Sequence, residues 1–510
     1  MNLAKLLLEK KEHYAQKPAI IFEGQPYTGN ELKDMVSRYS NLLNWSGVKK
    51  GDRVAIQLPK CMEFIFLHLA TLSLGAVTLP LNPAYSQEEV EYFLEDSGSK
   101  ILFIDHEIVQ SGQFNLENKS DLKVVIRGAN GANGLIHLLK EAQIHSSGNI
   151  YNYPTGPDDT ALLCYTSGTT GRPKGAMITH RNLVTNTLAL QKTWKWTESD
   201  VLLHVLPIFH IHGLCVALHG GLNAGSTVIL HEKFDPQESL KAIEEMKVTM
   251  FMAVPTIYYR FLQAWCKSKS DLSSMRVFIS GSAPLSKEFF EEFCSATGFR
   301  ILERYGMTET QMITSNPYEE ERRIPGSVGY PLPGVQIRLV SESGNDVRPG
   351  EIGEVCVKGE NVFKGYWHMP EKTRDSFFGE WFRSGDLGYQ DEKDEMRLYL
   401  VGRSKELIIS GGLNVYPKEV EDVLCQHESV QEAAVTGISD KEYGEKVAAA
   451  VVLKKNGHPV TNKEIIAFCK ERLVNYKCPK KVIFLSALPR NAMGKVQKHL
   501  IKISGHNENY

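Results

Sequence analysis

The stretch that most limits what this chain can become is Tyr165-Thr166-Ser167-Gly168-Thr169-Thr170-Gly171-Arg172-Pro173-Lys174-Gly175. An apolar run, Ala161-Leu162-Leu163-Cys164-Tyr165, leads into it. A buried strand that breaks into glycines, hydroxyls and a lysine outlines a phosphate cradle. Glycines let backbone N–H groups turn toward an anion. Hydroxyls donate to its oxygens, and Lys174 and Arg172 bring charge. The spacing is not that of a Walker A loop, because only two residues separate Gly168 from Gly171 and Lys174 precedes a glycine. Taken without its neighbours, the same run reads as a solvated surface loop.

The flanking chain alternates short apolar strands with helical periods, the pattern of βαβ units and a mainly parallel sheet. A hairpin is expected at 19–28 and a helix from 31 to 45. Strands are expected at 53–58, 76–79, 101–104 and 123–126, with a helix capped by Ser86 between them. Residues 128–158, rich in Gly, Asn, Ser and Pro, read as a loose connection. A second α/β set runs from about 160 to 330, and short strands with Gly turns follow from 335 to 358. After Gly402 a compact α+β segment begins. The expected fold is therefore α/β, with a large N-terminal part of βαβ layers and a β-rich subdomain (1–401), plus a small α+β C-terminal domain (403–510).

Composition excludes some partners. Net charge is -2 over 510 residues, so no global field draws the chain to nucleic acid. From Arg403 onward there are 17 Lys and Arg against 12 Asp and Glu, a balance of +5 that leaves -7 elsewhere. A basic lobe suits a polyanion such as a nucleotide, although scattered solvated lysines account for it equally. Nine cysteines without a Cys-x-x-Cys pair point to a reducing compartment, with cytoplasmic placement expected, and away from zinc. Residues 1–11 hold too short an apolar run for a secretory signal. Residues 64–81 approach membrane-spanning length but contain His68, Gly75 and Pro80. A core helix, a turn at Gly75 and a buried strand are expected there, with no integral membrane segment.

Further strings carry chemistry. His210 and His212 could ligate a metal, but no carboxylate or cysteine joins them at ligand spacing. The alternative is an apolar pocket lined by His210. Ser280-Gly281-Ser282-Ala283-Pro284 ends a strand and opens a helix at Ser286. In Glu303-Arg304-Tyr305-Gly306-Met307-Thr308-Glu309, Tyr305 offers an aromatic face to a purine and Gly306 permits close approach. Thr308 and Glu309 offer oxygens suited to magnesium on nucleotide phosphates. Asp386 can accept from two ribose hydroxyls. Gly411-Gly412 is a hairpin turn or a path for a narrow substrate arm. Lys495 stands on a Gly-led loop.

In this order the strings resemble those of the adenylate-forming enzymes: acyl-CoA synthetases, luciferases and adenylation domains of peptide synthetases. The resemblance runs from about residue 17 to 498. It implies an AMP-forming acid:CoA ligase with ATP, Mg2+ and CoA, acting on a small-molecule carboxylic acid. It assigns the ATP phosphates to Thr166, Ser167, Gly168, Thr169, Thr170, Gly171 and Lys174, and the adenine to Ser282, Ala283, Tyr305 and Gly306. It assigns Mg2+ to Thr308 and Glu309, and ribose and phosphates to Asp386 and Arg403. The acid falls to His210 and Met307, the pantetheine arm to Gly411 and Gly412, and the hinge of a mobile small domain to Lys405. Lys495 is the implied catalytic lysine, acting with Thr166, Glu309 and His210. Met493 departs from the family, which commonly has threonine there.

Strings at 204–207, 253–260 and 303–309 look most like malonyl-CoA synthetases. That resemblance requires a cation at the acyl end. Arg260 is the first candidate, with surface snorkelling as its alternative, and Arg304 is the second. Medium- or long-chain fatty acids, or loading of a carrier protein, are the competing activities. Monomer and homodimer both stay open.

Overall fold

The structure, a computed structural model, describes residues 2–9, 16–112, 114, 122–129, 132–144, 154–166, 172–394, 396–441, 443–454, 458–491 and 494–503. Three sheets organise these residues.

The first sheet has seven strands, and five of them, from Thr160–Thr166 through Val77–Pro80, Arg53–Gln57 and Ile101–Asp105 to Lys123–Arg127, are parallel neighbours. Such strands are covered on both faces, which is why Ile101–Asp105 is buried at every position. Met62–Ser73 is a helix with almost no polar face and is buried at every position except Glu63. Gly75 turns the chain at φ +66, and Val77–Pro80 enters the sheet. The long apolar run is thus a core helix and a core strand. No helix among the described residues is long and apolar enough to cross a membrane.

The second sheet has fourteen strands. Its parallel part holds Thr227–Leu230, Val201–His204, Met250–Ala253 and Val277–Ser280, and continues into Leu302–Met307. Phe251, Tyr258, Phe261, Phe278 and Phe293 fill the core beneath it, ring against ring. Leu302–Met307 then reverses into Gln311–Ser315, and the sheet runs on through antiparallel strands such as Val335–Val340, Gly353–Gly359 and Trp381–Gln390. A parallel ladder therefore passes into the β-rich part at the strand that carries Tyr305 and Met307.

The third sheet, of five strands, belongs to the smaller C-terminal domain. Helices Pro417–Cys425 and Asn462–Lys470 pack on it through Val420, Leu424, Ile465 and Cys469.

The expectation of a loose connection at 128–158 needs correction. Leu135–Ile144 is a helix inside that stretch, with Leu135, Leu138 and Ala142 buried. Turn-forming residues on both sides hid a short apolar period.

Candidate active site

The phosphate-loop stretch leaves and re-enters the first sheet at one place. Thr160–Thr166 pairs antiparallel with Lys174–Thr179, with Thr166 opposite Lys174 and Tyr165 opposite Gly175. Ser167, Gly168, Thr169, Thr170 and Gly171 lie outside the described residues. Lys174 is half-buried, its ammonium 5.2 Å from the centre of the Tyr366 ring. Burial pulls its pKa down and Lys372 and Lys405 add to this, while Glu309 opposes it.

Glu309 comes from the hairpin turn between Leu302–Met307 and Gln311–Ser315. That turn requires glycine at 306, since a Cβ there would lie 2.0 Å from the Gln311 carbonyl oxygen. Glu309 is buried, and the Tyr366 hydroxyl donates to its Oε1 at 2.9 Å. Burial raises the Glu309 pKa, opposed by Arg403 and Lys174. A carboxylate in that setting fits a divalent cation, which would hold it ionised. One carboxylate, a threonine hydroxyl and substrate phosphates form a donor set suited to Mg2+. No group of three His, Cys, Asp or Glu with metal-site geometry occurs among the described residues. Tyr366 was not legible beforehand. Only the pairing of Gly365–Tyr366 against Met177 and Ala176 carries it to Glu309 and Lys174.

Asp386 and Arg403 face each other across a strand pair, with Arg403 Nε 3.3 Å from Asp386 Oδ1. The Tyr305 hydroxyl donates to Asp386 Oδ2 at 2.6 Å. Tyr305 is only 8% exposed, so in this structure its hydroxyl fixes Asp386 more than its ring offers an open platform.

Lys495 is half-buried, with Arg403, Asp386, Glu406 and Lys498 around it. Burial, and then the Arg403 charge, pull its pKa down to about 8. A Cβ at the preceding residue, Gly494, would lie 2.9 Å from Thr256 Oγ1 and 3.5 Å from Val254 Cγ2. The C-terminal hairpin is thus docked on the large domain beside Asp386. Ala492 and Met493 lie outside the described residues. If the charged ammonium is the working form, kcat/KM for ATP falls as pH rises through about 8. Pyrophosphate release at low ATP between about pH 7 and 9.5 checks this, and a flat alkaline limb would exclude it.

Leu81, Tyr85, Tyr165, Phe209, His210 and Thr308 line a crevice. Burial pulls the His210 pKa down to about 4, so the imidazole is neutral at working pH, and its Nε2 has no partner among the described residues. His212 opens a π-helix, His212–Leu218, and its Nδ1 is 3.0 Å from Ser282 Oγ. Ser282 is held at φ +70 between the strand Val277–Ser280 and the helix Lys287–Thr297 that Ser286 caps. Ala283 follows on the same turn.

Arg304 lies against this turn. It is 2% exposed, and its Nε and Nη2 have no hydrogen-bond partner among the described residues. Gly281 leaves room for it, since a Cβ there would lie 2.4 Å from the Arg304 Cζ. Burial pulls its pKa down to about 9, which keeps it charged at neutral pH. Arg260 is placed otherwise than expected. It is exposed, stacks on the Phe234 ring at 5.2 Å and lines no part of the crevice. Tyr258, Phe261 and Leu262 take the core positions of its helix, Pro255–Ser268, and leave 260 on the Thr256 face. Met307 packs on the cluster of Phe363, Tyr366 and Phe382 rather than lining the crevice. Lys405 is exposed within the single turn Ser404–Glu406. Gly411 and Gly412, at φ +60 and +81, turn one short strand into the next and are exposed.

A family model described as AMP-binding enzyme matches residues 7–367, and one described as AMP-binding enzyme C-terminal domain matches 419–495. The chain belongs to the AMP-binding enzyme family. A long-chain-fatty-acid–CoA ligase of Bacillus subtilis (strain 168) is 34% identical over 97% of this chain and 93% of that one. A mitochondrial malonate–CoA ligase of Mus musculus is 33% identical over 95% of this chain and 88% of that one. The crystal structure of ATP-bound MatB from Rhodopseudomonas palustris superposes with a TM-score of 0.90 at 41% identity, covering 98% of each chain. This member of the AMP-binding family is an AMP-forming CoA ligase with ATP and CoA as cosubstrates and a carboxylic acid as the third reactant.

Proposed function

We propose that the acid is malonate, and that the residues described above divide the reaction as follows. The acid's carboxylate attacks the α-phosphorus of ATP and pyrophosphate leaves. Lys174 and the 166–171 loop hold the β- and γ-phosphates. Thr308 and Glu309 would hold Mg2+, which when bound neutralises charge on the phosphates. Asp386, fixed by Tyr305, takes the ribose hydroxyls, and Arg403 reaches the phosphates. The Ser282-Ala283 turn lies against the adenine. Lys495 stabilises charge at the oxygens of the α-phosphorus. The mixed anhydride needs a site closed to water. The small domain, which we begin at 403, then turns about Lys405, withdraws Lys495 and brings Gly411-Gly412 to the pantetheine arm. The CoA thiol attacks the carbonyl and AMP departs. Nine free cysteines support placing the enzyme in the cytoplasm.

One observation carries the choice of acid: the buried Arg304 guanidinium with unpartnered Nε and Nη2. A buried charge without a partner costs several kcal/mol, and a second carboxylate in the acid would remove that cost. A fatty acid leaves it unrelieved. Neutral His210 lines the crevice, of which Arg304 itself forms no wall, without competing for the carboxylate. A pyrophosphate-release assay over malonate, methylmalonate, acetate, butyrate and octanoate, with and without CoA, tests the assignment. Malonate is expected first in kcat/KM and methylmalonate second. Preference for octanoate or a longer acid would overturn malonate while leaving the ligase intact. Turnover with a carrier protein but not with CoA would overturn free CoA as the acceptor.

A further inference from the structure

The hairpin that presents Lys495 is small, running from Pro489 to Gln497. One bridge, Arg490 opposite Val496, forms its ladder. Asn491 N donates to the Lys495 carbonyl at 2.9 Å, and Lys495 N donates to Asn491 Oδ1 at 3.0 Å. Gly494 N donates to the Asn491 carbonyl at 2.8 Å. These contacts close the turn, but all of them lie within it. The Arg490 side chain makes two more contacts, one inside the turn and one beyond it. Its Nη1 donates to the Gly494 carbonyl at 2.5 Å, and its Nη2 pairs with Glu432. Glu432 stands on the long strand Val430–Asp440 of the C-terminal sheet, and both partners are about one quarter exposed.

We propose that Arg490, anchored by Glu432, is the positioning residue for Lys495: it fixes the Gly494–Lys495 peptide and so aims the lysine at the α-phosphate. The inference rests on the reading of Lys495 as the lysine of adenylation. Gly494 sits at φ +74, a conformation that favours glycine, and within the turn the Gly494–Lys495 peptide is held on its N–H side by Asn491 Oδ1. The hydrogen bond from Arg490 holds the carbonyl side, and through Glu432 that hold is anchored outside the turn. Arginine suits the task because its planar fork serves two acceptors at once, the carbonyl and the Glu432 carboxylate, with little rotamer freedom left to lose. The strand of Glu432 is paired along its length with Gly444–Leu453, so the lysine is referred to the sheet of its domain and not only to its turn. Misplacing a reacting group by about 1 Å can cost on the order of a hundredfold in rate.

The experiment measures the two half-reactions separately, by acid-dependent ATP–pyrophosphate exchange and by thioester formation from supplied acyl-adenylate and CoA. R490M is expected to lower the adenylation kcat by about ten- to a hundredfold, with KM for ATP changed less than about threefold. Thioester formation should stay near wild type, since that step does not use Lys495. R490K, which can serve one acceptor, should recover part of the loss, and E432Q should show a smaller loss of the same kind. K495A is run in parallel. If K495A cripples adenylation while R490M, R490K and E432Q all stay within about threefold of wild type, the positioning role is overturned. Equal loss of both half-reactions in R490M and E432Q would show a merely structural contact and also overturn it. If K495A itself spares adenylation, the reading of Lys495 fails first. Thermal unfolding of each variant identifies one that does not fold, and E432Q then carries the test.

Discussion

Replacing Lys495 with alanine is expected to lower acyl-adenylate formation by about 10²–10³-fold, while thioester formation from supplied acyl-adenylate and CoA survives. The size follows from the setting. The ammonium is half-buried, and its neighbours Asp386 and Arg403 are the groups assigned to ribose and phosphates. A fixed cation in such a place acts on developing charge without waiting for water to reorganise. The Arg403 charge already depresses its pKa, so the site strains to keep the lysine protonated until an anion arrives. Triphosphate binding should relieve that strain, and the alkaline limb of kcat should lie above that of kcat/KM for ATP. In the proposed cycle the half-reactions separate because the docked hairpin, with Gly494 against Thr256, leaves before the thiol attacks. Equal loss in both half-reactions would contradict this division of labour.

Replacing Arg304 with methionine is expected to cost malonate roughly 2–4 kcal/mol of transition-state binding, read as kcat/KM, with butyrate spared or improved. The same change should raise the unfolding temperature of the ligand-free enzyme by about 1–3 °C, because it removes a buried guanidinium whose Nε and Nη2 lack hydrogen bonds among the described residues. Malonate should in turn raise the unfolding temperature of the wild type and not of the variant. A structural arginine would give the opposite sign in the second measurement. Arg260→Leu is the matched control. An exposed guanidinium is screened by water, so its loss should cost malonate less than about 1 kcal/mol. If Arg260→Leu abolishes malonate activity and Arg304→Met does not, the second carboxylate binds on the Thr256 face of helix Pro255–Ser268, and the Arg304 assignment is lost.

The two arginines show where sequence reasoning stops. Both stand in strings that look like malonyl-CoA synthetases, both have apolar or aromatic neighbours, and neither differs in chemistry. One lies under the Ser280-Gly281-Ser282 turn and the other on Phe234 in solvent. Burial belongs to the packed chain, so no window around residue 260 or 304 contains it. Tyr366 makes the same point, because its hydrogen bond to Glu309 spans 57 residues and exists only once Gly365–Tyr366 pairs with the strand after the phosphate loop. The same holds for Tyr305 on Asp386, and for Arg490 on Glu432.

What the sequence determined by itself was local and periodic. Short continuous apolar runs alternating with helical periods marked the parallel strands, because strand and helix patterns are set by backbone geometry within a few residues. Gly75 and Ser86 marked a turn and a cap for the same reason. The order of the Thr166, Tyr305, Asp386 and Lys495 strings resembles that of the adenylate-forming enzymes, and that resemblance implied the chemistry. Tertiary structure alone decided which of these meet. It placed Lys495 beside Asp386 and Arg403, buried Arg304 with no hydrogen bond to Nε or Nη2 among the described residues, and left Arg260 in water. These outcomes depend on contacts closed across tens to hundreds of residues, where the free energy of packing the whole core, and not the preference of any one segment, sets each side chain's surroundings.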